Sequence, residues 1–383
     1  MTELEGYEFP VKWVTEGGAS LLVPDSPAPR KGSIPFYNPV AAFNRDVSLL
    51  VVASLGVERP RVADAMAGVG SRSVRYALLG AYVEANDLSP SSLSLLLRSA
   101  RANGVSDSIG VQSTDARVFL SAESAPNRRF DLVDVDPFGS PAPYLDSALA
   151  AVKSGGILAF TATDLATLCG RYPRASMEKY GAFTFRSEFC HEVAVRILIS
   201  YAYRRARLQG LSVCPLLSFY ADHYVRVFLR VTVKGPVGPE LANGFVVYSW
   251  ADKRRLWGND PRDLIQRAPA GAELGGPVWL GELSTPPFVQ GLLSKLEGLK
   301  GQLERPQRVE KLLKALMDEF GYPPFYYLVP ALVRGGNPPM DAVLSKLRER
   351  GVRCSPTHFD GQGIRFDPGA EDPSRFLSGL LKP

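Results

Sequence analysis

No two cysteines in this sequence stand close together. The four, Cys169, Cys190, Cys214 and Cys354, are spread along the chain without a C-x-x-C pair. That excludes a disulfide scaffold or a Cys-rich zinc site from the expectations and suits a reducing compartment. Histidine is scarcer still, with three residues in 383, so a His-based metal centre is not expected either. Long apolar runs are missing: the longest clean one, around Ser48 to Val57, is too short to cross a bilayer. The opening "MTELEGYEFP" has no basic start followed by an apolar block, so it reads as no secretory signal. Internal repeats and low-complexity tracts are absent. Net charge is small at +5, but its placement is uneven. Arg171, Arg174, Lys179, Arg186, Arg196, Arg204, Arg205 and Arg207 face only Glu178, Glu188 and Glu192 in the same stretch, so this segment equals the excess of the whole chain. An anionic polymer is a reasonable partner for such a face.

What is present is enough apolar material for a sizeable core, at 45% of the residues, and a length that implies two domains. From Arg61 onward the chain alternates strand and helix. "RVADAMAGVG" is a strand entering a glycine loop, and "SRSVRYALLG" a helix closed by Gly80. "AYVEAND" is a second strand; "SPSSLSLLLRSARANG" is a helix with Ser89 as N-cap, Pro90 in its first turn and Gly104 past its end. "SIGVQSTD", "FDLVDVD" and "GILAFTATD" are further strands, with "PYLDSALAAVKSG" as a helix before the last. This spacing predicts an α/β fold with a parallel sheet covered on both faces. "CHEVAVRILISYAYRRARL" reads as a long helix and "LLSFYADHYVRVFLRVTV" as two antiparallel strands. The pattern changes after "KGPVGPE", which sets domains at residues 1–235 and 236–383. Residues 243–281 read as strand-poor and loop-rich. Helices follow, in "FVQGLLSKLEGL", "RVEKLLKALMDEFG", "FYYLVPALVRGG" and "PPMDAVLSKLRERG", and "VRCSPTHFDGQGIRFD" closes as two short strands. That makes a smaller α+β C-terminal domain of winged-helix kind.

The chemistry gathers on the carboxyl ends of the parallel strands, the edge where such sheets bind ligands. "DAMAGVGSR" puts Asp64 and Gly68-x-Gly70 at the first strand–helix junction, where backbone N–H groups accept a negative group. Ser73 stands where a third glycine would complete a dinucleotide fingerprint, which disfavours hydride transfer. Asp87 suits the two hydroxyls of a cofactor ribose, and Asp115 an exocyclic amine of adenine. Each acid alone is also a good helix cap; three at successive strand ends point to a ligand. Asp136-Pro137-Phe138-Gly139 ends the fourth strand on the same edge. An exocyclic amine on a base is a poor nucleophile, because its lone pair is delocalised into the ring. A carboxylate that accepts its N–H bond, and then its proton, restores that nucleophilicity. The Pro137 carbonyl offers a second acceptor and Phe138 a stacking face worth roughly 1–3 kcal/mol. A plain strand–helix turn, with Asp136 as cap and Phe138 in the core, is the competing reading.

These residues also resemble a known family. "TEGGASLLVP", "FYNPVAAFNRD", "DAMAGVGSRSVRYA", "NDLSP", "DVDPFGSP", "TATDLATLCG", "KYGAFTFRSEFCHEVAVRIL", "DHYVRVFL", "GPVWLGEL" and "THFDGQGIRFD" together resemble the tRNA (guanine-26) N2-dimethyltransferases, over nearly the whole chain. The resemblance implies a Rossmann-like class I methyltransferase domain with a mostly parallel seven-stranded sheet. It implies S-adenosyl-L-methionine as cofactor and tRNA as partner, in the cytoplasm, with no obligate protein partner evident. Phe36, Arg45, Arg72, Asp87 and Asp115 match cofactor contacts of the family, while Asp136 and Phe138 match its catalytic carboxylate and the aromatic neighbour of the target guanine. Neither His191 nor His223 is needed for such a transfer. Many relatives carry a Cys-rich, zinc-ribbon-like insertion before "GP-W-G". Here the stretch from Phe245 to Gly276 has neither cysteine nor histidine, so that zinc cannot be assembled and no metal is expected. The alternatives are transfer to another amine (DNA adenine, ribosomal guanine or a protein side chain) and a binding module on an inactive fold.

Overall fold

Short β-branched segments that alternate with capped helices leave few options for their packing. In the computed structural model, which describes residues 7–25, 35–233, 235, 239–333, 338–369 and 372–381, they form one sheet. A hairpin, β1 (Val11–Glu16) and β2 (Ala19–Pro24), comes first. The sheet itself is built from β3 (Arg61–Asp64), β4 (Tyr82–Asn86), β5 (Ile109–Gln112), β6 (Phe130–Val135), β7 (Val152–Ala162), β8 (Ser212–Ala221) and β9 (Tyr224–Thr232). Its order is β5-β4-β3-β6-β7-β9-β8. The first five strands run parallel, and β9 is antiparallel to both β7 and β8. The strand order reverses between β3 and β6. That is the crevice in which such sheets take a ligand.

Helices cover both faces. On one side lie α1 (Ala42–Ala53), α2 (Ser71–Leu78) and α3 (Pro90–Ala102), whose Val47, Leu50, Val74, Leu95 and Leu96 pack on the sheet. On the other lie α4 (Ala116–Ala122), α5 (Leu145–Ala151) and the long α8 (Cys190–Leu208), reached through the short α6 (Leu165–Leu168) and α7 (Pro173–Tyr180). Ser89 caps α3 as expected, its side chain accepting from Ser92 N at 3.2 Å. The helix predicted over 143–155 stops earlier, at Ala151. Val152 already pairs with Phe130, and a bulge shifts the register before Leu132 meets Ile157.

The second half departs further from the reading. The stretch taken as loop-rich is a three-stranded antiparallel sheet, β11-β10-β12, of Gly244–Tyr248 (β10), Arg255–Gly258 (β11) and Glu273–Val278 (β12). Its strands are short, and the segments between them, including α9 (Pro239–Ala242) before it and α10 (Pro261–Arg267) within it, dilute the alternation. Then come α11 (Pro286–Leu299) and α12 (Pro306–Asp318), which bury Val289, Leu292, Val309 and Leu313 in the same core as α1. The helix expected in 325–336 is instead β13 (Tyr327–Leu328) followed by the single turn α13 (Val329–Leu332), where Pro330 at its start fits only a first turn. After α14 (Met340–Glu349) come β14 (Cys354–Pro356), β15 (Gly363–Phe366) and α15 (Pro373–Leu381). Helix, strand, two helices and a hairpin, with sheet order β13-β15-β14, is the winged-helix arrangement. The boundary expected between residues 235 and 236 falls largely on residues outside the described ones. Among the described residues no helix is long and apolar enough to cross a membrane.

Candidate active site

The corner after β6 is fixed from two sides. Gly139 N donates to Thr163 Oγ1 at 2.7 Å, and Thr163 N returns a bond to Gly139 O at 2.9 Å. Gly139 sits at φ 85°, which only glycine adopts freely, so the chain turns sharply just after Phe138. That turn leaves the Phe138 ring 80% exposed. A phenyl group serving the core would be covered, so the plain-turn reading fails for this residue. Phe36 stands edge-on to it, ring centroids 5.1 Å apart. Pro137 is buried, and among the described residues its carbonyl accepts no hydrogen bond.

Asp136 keeps 24% of its side chain exposed and meets Arg72 Nη1 at 2.5 Å. Beneath it is a buried charge cluster. Arg226 of β9, wholly buried, donates from Nη1 and Nη2 to the two Asp134 oxygens at 2.9 and 2.6 Å. It also donates to Thr161 Oγ1 at 3.0 Å and Ser48 Oγ at 2.9 Å. Tyr76 donates its hydroxyl to Asp134 at 2.8 Å. Burial pushes the Asp136 carboxyl up, but the charges of Arg72 and Arg226, with hydrogen bonds from Thr161 and Arg72, outweigh it and leave it below the ordinary range. Asp64 goes the other way. Burial first, then the Asp134 charge, drive it up to about 7, against Arg72 and the Ser73 hydroxyl. Three carboxylates therefore share two guanidinium groups at the β3/β6 switch.

The other expected residues separate into those at the crevice and those behind it. Gly68 and Gly70 form the loop between β3 and α2 with φ of 53° and 81°. A Cβ at Gly70 would stand 2.3 Å from Leu96 Cγ, so this glycine serves the packing of α2 on α3. Asp87 accepts from Gly68 N at 2.9 Å and Ser89 N at 2.8 Å, one bond to each oxygen. Its remaining lone pairs are free for hydroxyl groups. Ser73 Oγ donates to Asp64 at 2.7 Å, which explains a serine at that position. Asp115 caps α4 and forms a two-point pair with Arg117 at 2.9 Å, so its carboxylate is partly engaged already. Arg45 is buried and donates from Nε and Nη2 to Glu16 at 2.7 and 2.5 Å, and to Asn38 O at 2.9 Å. It locks the hairpin to the "FYNP" loop.

Sequence reasoning missed Asp134, Arg226, Glu16 and Arg75. A signal for the first two existed. Asp134 and Arg226 lie inside strands whose neighbours are apolar, and a charge in such a strand needs a buried partner. The basic segment differs from the expected free face. Arg196 is buried on Glu192 at 2.7 Å, Arg205 pairs with Asp146, Arg174 with Glu178, Lys179 with Asp164, and Arg204 donates to the Tyr180 carbonyl at 2.6 Å. Arg171, Arg186 and Arg207 are exposed and without an ion pair among the described residues.

Residues 17–372 match the family model of N2,N2-dimethylguanosine tRNA methyltransferases. The chain belongs to that family. The methyltransferase relatives include the tRNA (guanine(26)-N(2))-dimethyltransferase of Methanothermobacter thermautotrophicus, 33% identical over 96% of this chain and 99% of the relative. The enzyme of that name from Aeropyrum pernix is 35% identical over 87% of this chain and 86% of its own. Among solved structures, Trm1 from Pyrococcus horikoshii, in complex with S-adenosyl-L-methionine, matches with a TM-score of 0.81 at 30% identity, covering 97% of this chain and 100% of that one.

Proposed function

We infer that this chain transfers one or two methyl groups from S-adenosyl-L-methionine to the exocyclic N2 amine of guanosine 26 in tRNA. The observation that carries the reading is the pairing of an ionised, partly exposed Asp136 with an exposed Phe138 at the β3/β6 crevice. When bound, the cofactor supplies a sulfonium-borne methyl carbon. The donor set fits it: Asp87 holds lone pairs toward the ribose hydroxyls, Gly68 leaves space beside them, where an added Cβ would meet only Phe36 O at 3.7 Å, and the excess of carboxylate over guanidinium favours a cationic ligand, while Gly70 serves packing. Phe36, Arg45 through its remaining Nη1, Asp64, Arg72 and Asp115 complete that set.

Asp136 accepts an N–H of the target amine, and the Pro137 carbonyl accepts the other, which fixes the plane of the amine and directs its lone pair. The amine proton becomes strongly acidic as the nitrogen gains its new bond. A carboxylate held below the ordinary range can therefore still take it. Arg72 and Arg226 keep Asp136 ionised while it waits. Phe138 packs on the base once it leaves its stack, a step that costs a few kcal/mol. After a first transfer, rotation of the monomethylated amine presents its second hydrogen to the same acceptors.

Residues 1–235 form the catalytic unit of this reading and residues 236–383 the unit that grips tRNA, with Arg171, Arg186 and Arg207 of the first unit, exposed and without an ion pair among the described residues, adding charge for the phosphates. This reading takes the cytoplasm as the compartment of the reaction. The test is incubation of the purified chain with unmodified tRNA and labelled cofactor, followed by nucleoside mass spectrometry and mapping. N2-methyl- and N2,N2-dimethylguanosine at position 26 are expected; label at another base or on protein would overturn the assignment.

A further inference from the structure

The cysteines that stand far apart in sequence do not all stay apart. Cys169 closes α6, and Cys190 and His191 open the first turn of α8. The two Sγ atoms and a ring nitrogen of His191 lie within 4.8 Å of one another, all on half-buried side chains. Both thiols are free. The His191 ring is held flat against Tyr220 of β8, centroids 3.8 Å apart and planes 7° from parallel, so its edge stays directed. Cys169 is fixed by its backbone: its N–H donates to Leu165 O at 2.7 Å. The next residue, Gly170, packs so closely that a Cβ would stand 2.2 Å from the Phe185 carbonyl carbon. Nothing in the methyl transfer uses these three groups.

We propose that Cys169, Cys190 and His191 bind a soft divalent cation, zinc, with its fourth position open to solvent. Two thiolates and an imidazole are the donors this ion prefers, whereas calcium and magnesium require oxygen. Around one tetrahedral zinc, with bonds of about 2.0–2.3 Å, such donors stand about 3.5–3.8 Å apart. Half-buried side chains on two helix ends close that distance by rotation. Two thiolates also balance the charge of the ion, so the half-buried site holds no net charge. The geometry also favours the ligand form of one thiol: Cys190 lies at the N-terminus of a 19-residue helix, which favours a thiolate. A disulfide would use the sulfurs, need an oxidant, and leave the imidazole idle. The ion would tie α6 to α8. Since α6 begins two residues after Thr163, which clasps Gly139, it would steady the wall of the catalytic corner.

The experiment uses the full chain, purified under reductant, stripped with a chelator and titrated with zinc against a chromophoric competitor. About one zinc per chain is expected, with Cys169 and Cys190, identified by mass spectrometry, shielded from alkylation. Cobalt in place of zinc should give sulfur-to-metal charge-transfer absorption. Cys169→Ser, Cys190→Ser and His191→Ala should each weaken uptake roughly tenfold or more, while Cys214→Ser keeps it. Because the shielding is read on the wild-type chain, a variant that fails to fold does not hide the answer. No uptake by the reduced protein, shielding of Cys214 or Cys354 instead, or full uptake by all three variants would overturn the site.

Discussion

Replacing Arg226 by methionine removes the positive centre beneath the catalytic corner while keeping the length of the side chain. The wild-type guanidinium is wholly buried and makes two bonds to Asp134, one to Thr161 and one to Ser48. Arg226→Met leaves Asp134 with the Tyr76 hydroxyl and the more distant Arg72, whose Nε is 3.6 Å away. Breaking a buried pair from one side costs about 3–5 kcal/mol, because the surviving charge is uncompensated. At 2–4 °C per kcal/mol for domains of about 150–250 residues, the midpoint of thermal unfolding should fall by about 6–20 °C. The double variant Arg226→Met/Asp134→Asn removes the stranded charge and keeps an acceptor for Tyr76. It should recover much of the loss, giving a coupling of about 1–3 kcal/mol in the cycle. Differential scanning calorimetry of the four proteins reads this directly. A single-variant loss below about 1 kcal/mol, typical of an exposed pair, or strictly additive effects would refute the account of a buried, interdependent cluster. Since Arg226 also helps hold Asp136 ionised, the acid limb of methyl transfer should move to higher pH in Arg226→Met.

Other outcomes follow from the same geometry. Phe138→Ala should reduce transfer by roughly 5- to 150-fold, the equivalent of 1–3 kcal/mol of stacking, with cofactor binding unchanged by calorimetry; a Phe138→Tyr variant should stay close to wild type. The carboxyl of Asp64 lies higher in the folded chain than in the unfolded one, about 7 against an ordinary aspartate value of about 4. Its cost to stability is therefore absent below pH about 4, grows as pH rises, and is complete above about 7, at most about 4 kcal/mol. Asp64→Asn should flatten that slope in unfolding measured from pH 4 to 8, and an unchanged slope would reject the raised value. Glu192 of α8 accepts from Phe325 N at 2.8 Å and Tyr326 N at 2.9 Å, and pairs with Arg196 and Arg365, tying the catalytic sheet to the winged-helix unit. Glu192→Gln should cost about 3–5 kcal/mol and separate the unfolding of the two halves in calorimetry; a single, unshifted transition would contradict this. Charge reversal of Arg171, Arg186 and Arg207 should weaken tRNA binding and flatten its salt dependence, whereas the paired Arg174 and Arg205 should matter less.

The parallel half of the fold was legible because each strand is short, apolar and followed by a capped helix, as with Ser89 and Pro90 before α3. The antiparallel half was not. The strands β10, β11 and β12 are four to six residues long and separated by a polar turn and by α10, so no window held a clear period of two. Likewise "FYYLVPAL" is apolar throughout, and only its pairing with β15 makes Tyr327 and Leu328 a strand. In the site, residues at strand ends could be found by position: Asp64, Asp87, Asp115 and Asp136 all lie on one edge. Which of them is free could not. Asp115 is engaged by Arg117 through a contact two residues away, while the state of Asp136 depends on Arg226, ninety residues further on. The basic segment misled for the same reason. Charges counted along a helix do not reveal which are already paired, and Arg196 and Arg205 are.

The most direct measurement is a single-turnover methyl transfer to unmodified tRNA by Asp136→Asn, alongside calorimetric cofactor binding. Asparagine keeps the size of the side chain and an oxygen toward Arg72 but cannot take the amine proton. Cofactor affinity should stay within a few fold of wild type, and the rate should fall by about 10²–10⁴-fold. Transfer at the wild-type rate with tRNA and cofactor both bound would show that the carboxylate after β6 is not the group that accepts the proton.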